Sequence, residues 1–181
     1  MEGEGVFELK DGEESVLYGY GKQKERLYPE GALILDASGK LWGPASGGDG
    51  KSCPRSGACG MLFSLDSKSK SPELRTEHSF CNRPHCADGA APEGPLFLDA
   101  DGALFGTTAD GGNKNKKHDW GTLYEWSKTG FAVLYAFCSQ VNCGDGAMPV
   151  QGAIRDSSGN LFGTTSGGGA NGYGVVFEYT P

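Results

Sequence analysis

Short apolar runs alternate with turn residues along the whole chain, and no window sustains a helical period of apolar positions. The runs recur. PEGALILDASGKLWGPASGG begins at Pro29, PEGPLFLDADGALFGTTADGG at Pro92 and PVQGAIRDSSGNLFGTTSGGG at Pro149, offsets of 63 and 57 residues. A second unit follows a variable loop: GVFEL at Gly5, GMLFSL at Gly60, GTLYEW at Gly121 and GVVFEY at Gly174. A third comes next: SVLYGY from Ser15, LRTEHSF from Leu74 and AVLYAF from Ala132. Each repeat therefore carries four short strands, designated a (ALILD type), b (KLWGPA type), c (MLFSL type) and d (VLYAF type). All are rich in Leu, Val, Phe and Tyr and bounded by turn residues. Strands a and b are joined by D-x-x-G turns opened by Asp36, Asp99 and Asp156. The carboxylate of such an Asp caps the turn, and the Gly takes the positive φ.

Four antiparallel strands in chain order form a propeller blade. The expected fold class is all-β and propeller-like, with three four-stranded antiparallel blades per chain, open to completion by a second copy. The chain reads as a single repeat domain over 1–181, with repeats at about 5–59, 60–120 and 121–173 and an extra strand at 174–181. Three blades are fewer than the four to eight that close a ring. A homodimer of six blades, a segment of a longer array, a compact three-repeat monomer and a stacked β-solenoid all remain open on the sequence.

The strings GAIRDSSGNLFGTTSGGG…GVVFEY and VLYAFCSQVNCGDGAMP resemble the bacterial Gloeobacter–Verrucomicrobia (GloVer) tandem repeat, itself similar to the NHL class of propeller repeat. The likeness spans nearly the whole chain. It is closest in the second and third repeats. In the first, Gly43-Pro44-Ala45 stands where the others have Gly-Thr-Thr, and the d-to-a loop has no cysteine pair. The resemblance implies fold and a secreted or cell-surface location. It carries no activity.

Composition narrows the partners. Glycine supplies 31 of 181 residues, against a usual ~7%, which suits many tight turns between short strands. The net charge of -7 excludes the basic face of a nucleic-acid binder. The run Lys114 to Lys117 lies in a Gly/Asn-rich loop and reads as a solvated tip. No apolar stretch approaches the ~20 residues that span a bilayer. Met1-Glu-Gly-Glu lacks the basic start and apolar run of a signal peptide, so Met1 reads as the edge of an excised region. The six cysteines fall into local pairs, Cys53 with Cys59, Cys81 with Cys86 and Cys138 with Cys143. Their C-x5-C and C-x4-C spacings are wider than the CxxC of structural zinc, so three short disulfides and an oxidising compartment are expected.

On the blade reading the a–b and c–d turns share one face. The long b–c and d–a loops share the other, with all six cysteines and Asp49, Arg55 and Asp110. Binding residues concentrate on variable loops carried by a rigid scaffold, so the expected ligand-binding set is Arg83, His85, Asp88, His118, Trp120, Asn142, Asp145 and Tyr173. Asp88 and Asp145 each open an Asp-Gly-Ala sequence before a Pro. They read either as loop-shaping carboxylates or, with His85 and His118, as catalytic candidates. His78 lies in a strand and reads as structural. No metal site, cofactor or nucleophile motif is expected. The function expected is an extracellular binding module for carbohydrate or another small polar ligand. The alternatives are a glycan hydrolase or lyase and a purely structural surface repeat.

Overall fold

A computed structural model describes residues 5–19, 27–47, 59–112 and 120–181. The fourteen strands in these residues form four antiparallel sheets in chain order. The first sheet holds only β1 (Gly5–Lys10) and β2 (Glu13–Gly19), a c–d hairpin. The second holds β3 (Leu27–Pro29), β4 (Ile34–Leu35), β5 (Lys40–Gly47), β6 (Met61–Asp66) and β7 (Leu74–Ser79). Both β3 and β4 pair with the long β5. The third is the complete a–b–c–d unit: β8 (Phe97–Leu98), β9 (Leu104–Thr108), β10 (Thr122–Ser127) and β11 (Gly130–Ala136). The fourth has a, b and c only: β12 (Ile154–Arg155), β13 (Leu161–Thr164) and β14 (Val176–Tyr179).

Register repeats with the sequence. Each c–d hairpin slips by one residue at the same place, between Val6 and Phe7, Leu62 and Phe63, and Leu123 and Tyr124. A bulge there increases local twist. The mid-strand glycine of b lies opposite the c-strand ring: Gly43 with Phe63, Gly106 with Tyr124, Gly163 with Phe177. A Cβ on any of these glycines would run into that ring, which accounts for the Gly of the G-T-T triplet. The a strands are two residues long, shorter than the five-residue apolar runs suggest. Each enters its D-x-x-G turn directly: Asp36 Oδ1 accepts from Ser38 N at 2.8 Å and Lys40 N at 3.0 Å, and Asp99 and Asp156 repeat the pattern. The recurrent aspartates are thus occupied as turn caps.

The core lies between sheets. Val6 of the first sheet packs on Phe63 and Leu65 of the second. Leu62 and Phe80 of the second pack on Leu104 and Tyr124 of the third. Leu123 and Phe137 of the third pack with Leu161, Phe177 and Tyr179 of the fourth. The two inner c strands, β6 and β10, therefore send their ring position back toward the preceding sheet and the apolar residue before it forward toward the next. Arg155 Nη1 of the fourth sheet ties back to Asp99 Oδ2 of the third at 2.5 Å. Among the described residues, no helix is long and apolar enough to cross a membrane.

Candidate functional site

Two loops between d and a strands have one construction. In the first, the Cys81–Cys86 disulfide spans the 3-10 turn Pro84–Cys86. In the second, Cys138–Cys143 spans the turn Val141–Cys143. Cys81 N donates to Gly89 O and Cys138 N to Gly146 O, each at 2.9 Å. His85 and Asn142 hold equivalent left-handed positions, at φ of 59° and 56°. Both cysteine pairs also carry positive φ, a conformation that few non-glycine residues adopt and that surrounding structure must enforce.

A carboxylate bonds the backbone of each loop from within. Asp88 is fully buried, and its oxygens accept from Asn82 N and Arg83 N, each at 3.2 Å. His78 Nε2 from β7 lies 3.2 Å from Asp88 Oδ2. Asp145 accepts from Ser139 N at 2.9 Å, Ser139 Oγ at 2.8 Å, Gln140 N at 3.1 Å and Tyr135 Oη at 2.7 Å. Burial alone would raise both carboxyls. The donors outweigh it: His78 and the loop N–H groups hold Asp88 below the ordinary carboxylate range, and Tyr135, Ser139 and Gln140 do the same for Asp145. Both are anions whose lone pairs point into their own loop.

A threonine at the end of strand b or just past it packs against each loop. Thr108 Oγ1 donates to Asp110 O at 2.9 Å and accepts from Thr122 N at 3.0 Å. Thr165 Oγ1 donates to Gly167 O at 2.9 Å and accepts from Val175 N at 3.0 Å. A Cβ on Gly89 would stand 2.5 Å from Thr108 Oγ1, and one on Gly146 would stand 2.6 Å from Thr165 Oγ1. The first repeat has neither an Asp-Gly-Ala loop nor this threonine; Ala45 stands in its place. This linked pair, threonine with glycine, is a determinant of loop shape that sequence reading missed. Its signal was the co-occurrence of G-T-T and D-G-A in the second and third repeats and of neither in the first.

Neighbouring long connections bond one another. Gly112 N donates to Cys86 O and Gly169 N to Cys143 O, each at 2.8 Å. Ala91 N donates to Cys59 O at 3.0 Å and Met148 N to Trp120 O at 2.8 Å. Arg83, His85 and Asn142 are exposed at the loop tips, Trp120 is half-buried, and Tyr173 is 90% exposed. Gln140, absent from the expected ligand set, holds the place equivalent to Arg83 and is also exposed. Asp88 lies beneath this surface. His118, Asp49, Arg55 and Cys53 lie outside the described residues, as does the Lys114 to Lys117 run. Cys59 is disulfide-bonded. Among the described residues no three of His, Cys, Asp and Glu gather in a way that could hold a metal ion.

Sheets of one meander pattern, packed in chain order and fastened by matching loops, define an all-β tandem-repeat protein. Residues 2–181 match the model of the Gloeobacter/Verrucomicrobia repeat, and the chain belongs to that family. No curated protein matches it.

Proposed function

We propose that this protein is an extracytoplasmic binding module that holds a neutral glycan on the side where the cysteine loops meet, and that its four-stranded sheets serve as propeller blades. One observation carries the reading: two rigid loops of identical construction hold Arg83 and His85 on one and Gln140 and Asn142 on the other, exposed and at equivalent places. Sugar hydroxyls need fixed donors and acceptors, and loops ordered beforehand bind with less entropic cost. Tyr173 offers an exposed ring on which a sugar face can stack. The net charge of -7 disfavours acidic glycans. The disulfides support an oxidising, secreted or surface location.

Catalysis by Asp88 or Asp145 has less support. A general acid needs a raised pKa and a free face toward substrate, whereas both carboxylates are held low and spent on loop N–H groups. The test is retention on a panel of neutral polysaccharides. The wild type should be retained, and Arg83→Ala, Asn142→Ala and Tyr173→Ala should each weaken retention by roughly tenfold, as loss of one good contact does. Absence of retention on every polysaccharide by a folded sample overturns the reading, as does retention that none of the three changes alters.

A further inference from the structure

The joint between the second and third sheets is built from large side chains. Trp42 of the second and Leu98 and Trp126 of the third pack against one shared core cluster. Lys40 Nζ lies over the Trp42 ring, 5.0 Å from its centroid. The joint between the third and fourth sheets has the same backbone plan and different occupants. By register, Phe105 stands for Trp42, Arg155 for Leu98 and Tyr179 for Trp126. Ala103 stands for Lys40, each donating its carbonyl to the Asp that opens the turn. Two indoles and a lysine thus give way to smaller groups, and a guanidinium replaces a leucine. An open cavity of about 360 Å³ results, lined by Ala103, Phe105, Arg155 and Tyr179. Its size is that of a small-ligand pocket.

The cavity lies at the end of the strands opposite the cysteine loops. β9 and β10 pair from Thr108 with Thr122, beside those loops, to Leu104 with Trp126. The turns next to Leu104 and Trp126 supply the rim, with Asp101 and Lys128. Arg155 is fixed in the wall. Its Nη1 donates to Asp99 Oδ2 at 2.5 Å, its Nε donates to Gly159 O at 3.2 Å, and its guanidinium stands 5.4 Å from the centroid of the Phe105 ring. The Asp99 side chain is 8% exposed, so this ion pair cancels within the wall. Asp101, Glu125 and Lys128 line the same cavity, and their side chains make no hydrogen bond or ion pair among the described residues. The walls therefore offer donors and acceptors together. A cation is repelled by Arg155 and Lys128, and an anion by Asp101 and Glu125 in a chain of net charge -7. A neutral polyhydroxylated ring suits both sets, since each hydroxyl can donate to a carboxylate and accept from an N–H. Tyr179 adds an aromatic face for the apolar side of such a ring.

We propose that this cavity is a second binding site, one that takes a neutral sugar ring between the third and fourth sheets. Asp101 and Glu125 accept from its hydroxyls, Arg155 and Lys128 donate to them, and Tyr179 covers one face. A further hollow of about 440 Å³ between the two a–b turns shares Asp99, Asp101 and Arg155 with the first, which gives room for a second ring of the same sugar chain. The site shares no residue with the cysteine loops and does not rest on the loop-side reading.

The test is a titration of the full chain with glucose, galactose, mannose and N-acetylglucosamine, followed by backbone amide NMR. At least one sugar should shift the signals of Asp101, Gly102, Lys128 and Thr129 at millimolar concentration. Phe105→Trp gives the third sheet the side chain that the second carries at Trp42, and should abolish those shifts by filling the cavity. Glu125→Gln leaves the core untouched and should weaken binding by about tenfold. Silence of the four signals with every sugar overturns the proposal, as do shifts confined to the loops of Arg83 and Gln140. Equal shifts with acetate or methylammonium overturn it too. So does wild-type affinity in a folded Phe105→Trp protein or in Glu125→Gln. Shifts at the four signals with both cysteine loops silent would sustain this site while the loop-side reading fails.

Discussion

Asp88 joins three parts of the chain through one side chain: the loop N–H groups of Asn82 and Arg83 and the strand residue His78. Its folded pKa is depressed, so the sign is that of a carboxylate. The stabilisation is present above the unfolded value of about 3.9 and is lost as pH falls through the folded value. Asp88→Asn should cost about 1–3 kcal/mol at neutral pH, since it disturbs a buried, fully bonded acceptor. It should also flatten the decline of stability below about pH 4, read from urea midpoints across an acid series. Tyr124 gives the opposite case. Its ring is fully buried and its hydroxyl has no hydrogen-bond partner among the described residues. Burial also drives its pKa upward. The equivalent residues Phe63 and Phe177 have no hydroxyl to satisfy. Tyr124→Phe should therefore raise stability by about 1 kcal/mol, seen as a higher urea midpoint with an unchanged slope.

Among the elements, the disulfide loops hold an unusual run of left-handed residues against a scaffold of regular strands. Closing a six-residue ring contributes about 2 kcal/mol in the chain-entropy picture. Cys138→Ser with Cys143→Ser should lower stability by about that amount, measured by chemical denaturation. If the proposed glycan site is as described, the same variant should also lose retention on polysaccharide, because Gln140 and Asn142 would no longer be held in place. Much of the element plan was legible beforehand. The c and d strands, the D-x-x-G turns and the local cysteine pairs all rest on contacts within a few residues, which a local pattern encodes. What escaped depends on pairing across the sheet. The two-residue length of the a strands follows from where each Asp begins to bond its own turn. The need for Gly106 becomes visible only when Tyr124 lies opposite it. The coupling of Thr108 to Gly89 spans two loops. Asp88 and Asp145 appeared as ligand or catalytic candidates because composition alone does not reveal which way a carboxylate faces.

At the scale of the molecule, the repeats read correctly as repeats, and neighbouring long connections bond one another. The chemistry of that side was less legible. Arg83, His85 and Asn142 are at its surface, Asp88 is not, and Gln140 joined the set only through its equivalence to Arg83. Sequence could count strands and find one c strand in excess. It could not tell which apolar residues that excess leaves uncovered, because the answer depends on which face of each sheet looks forward.

That forward-and-back distinction gives the row of sheets a direction. A ring-bearing face meets a Leu- or Val-bearing face at every internal joint, so two like ends are mismatched partners.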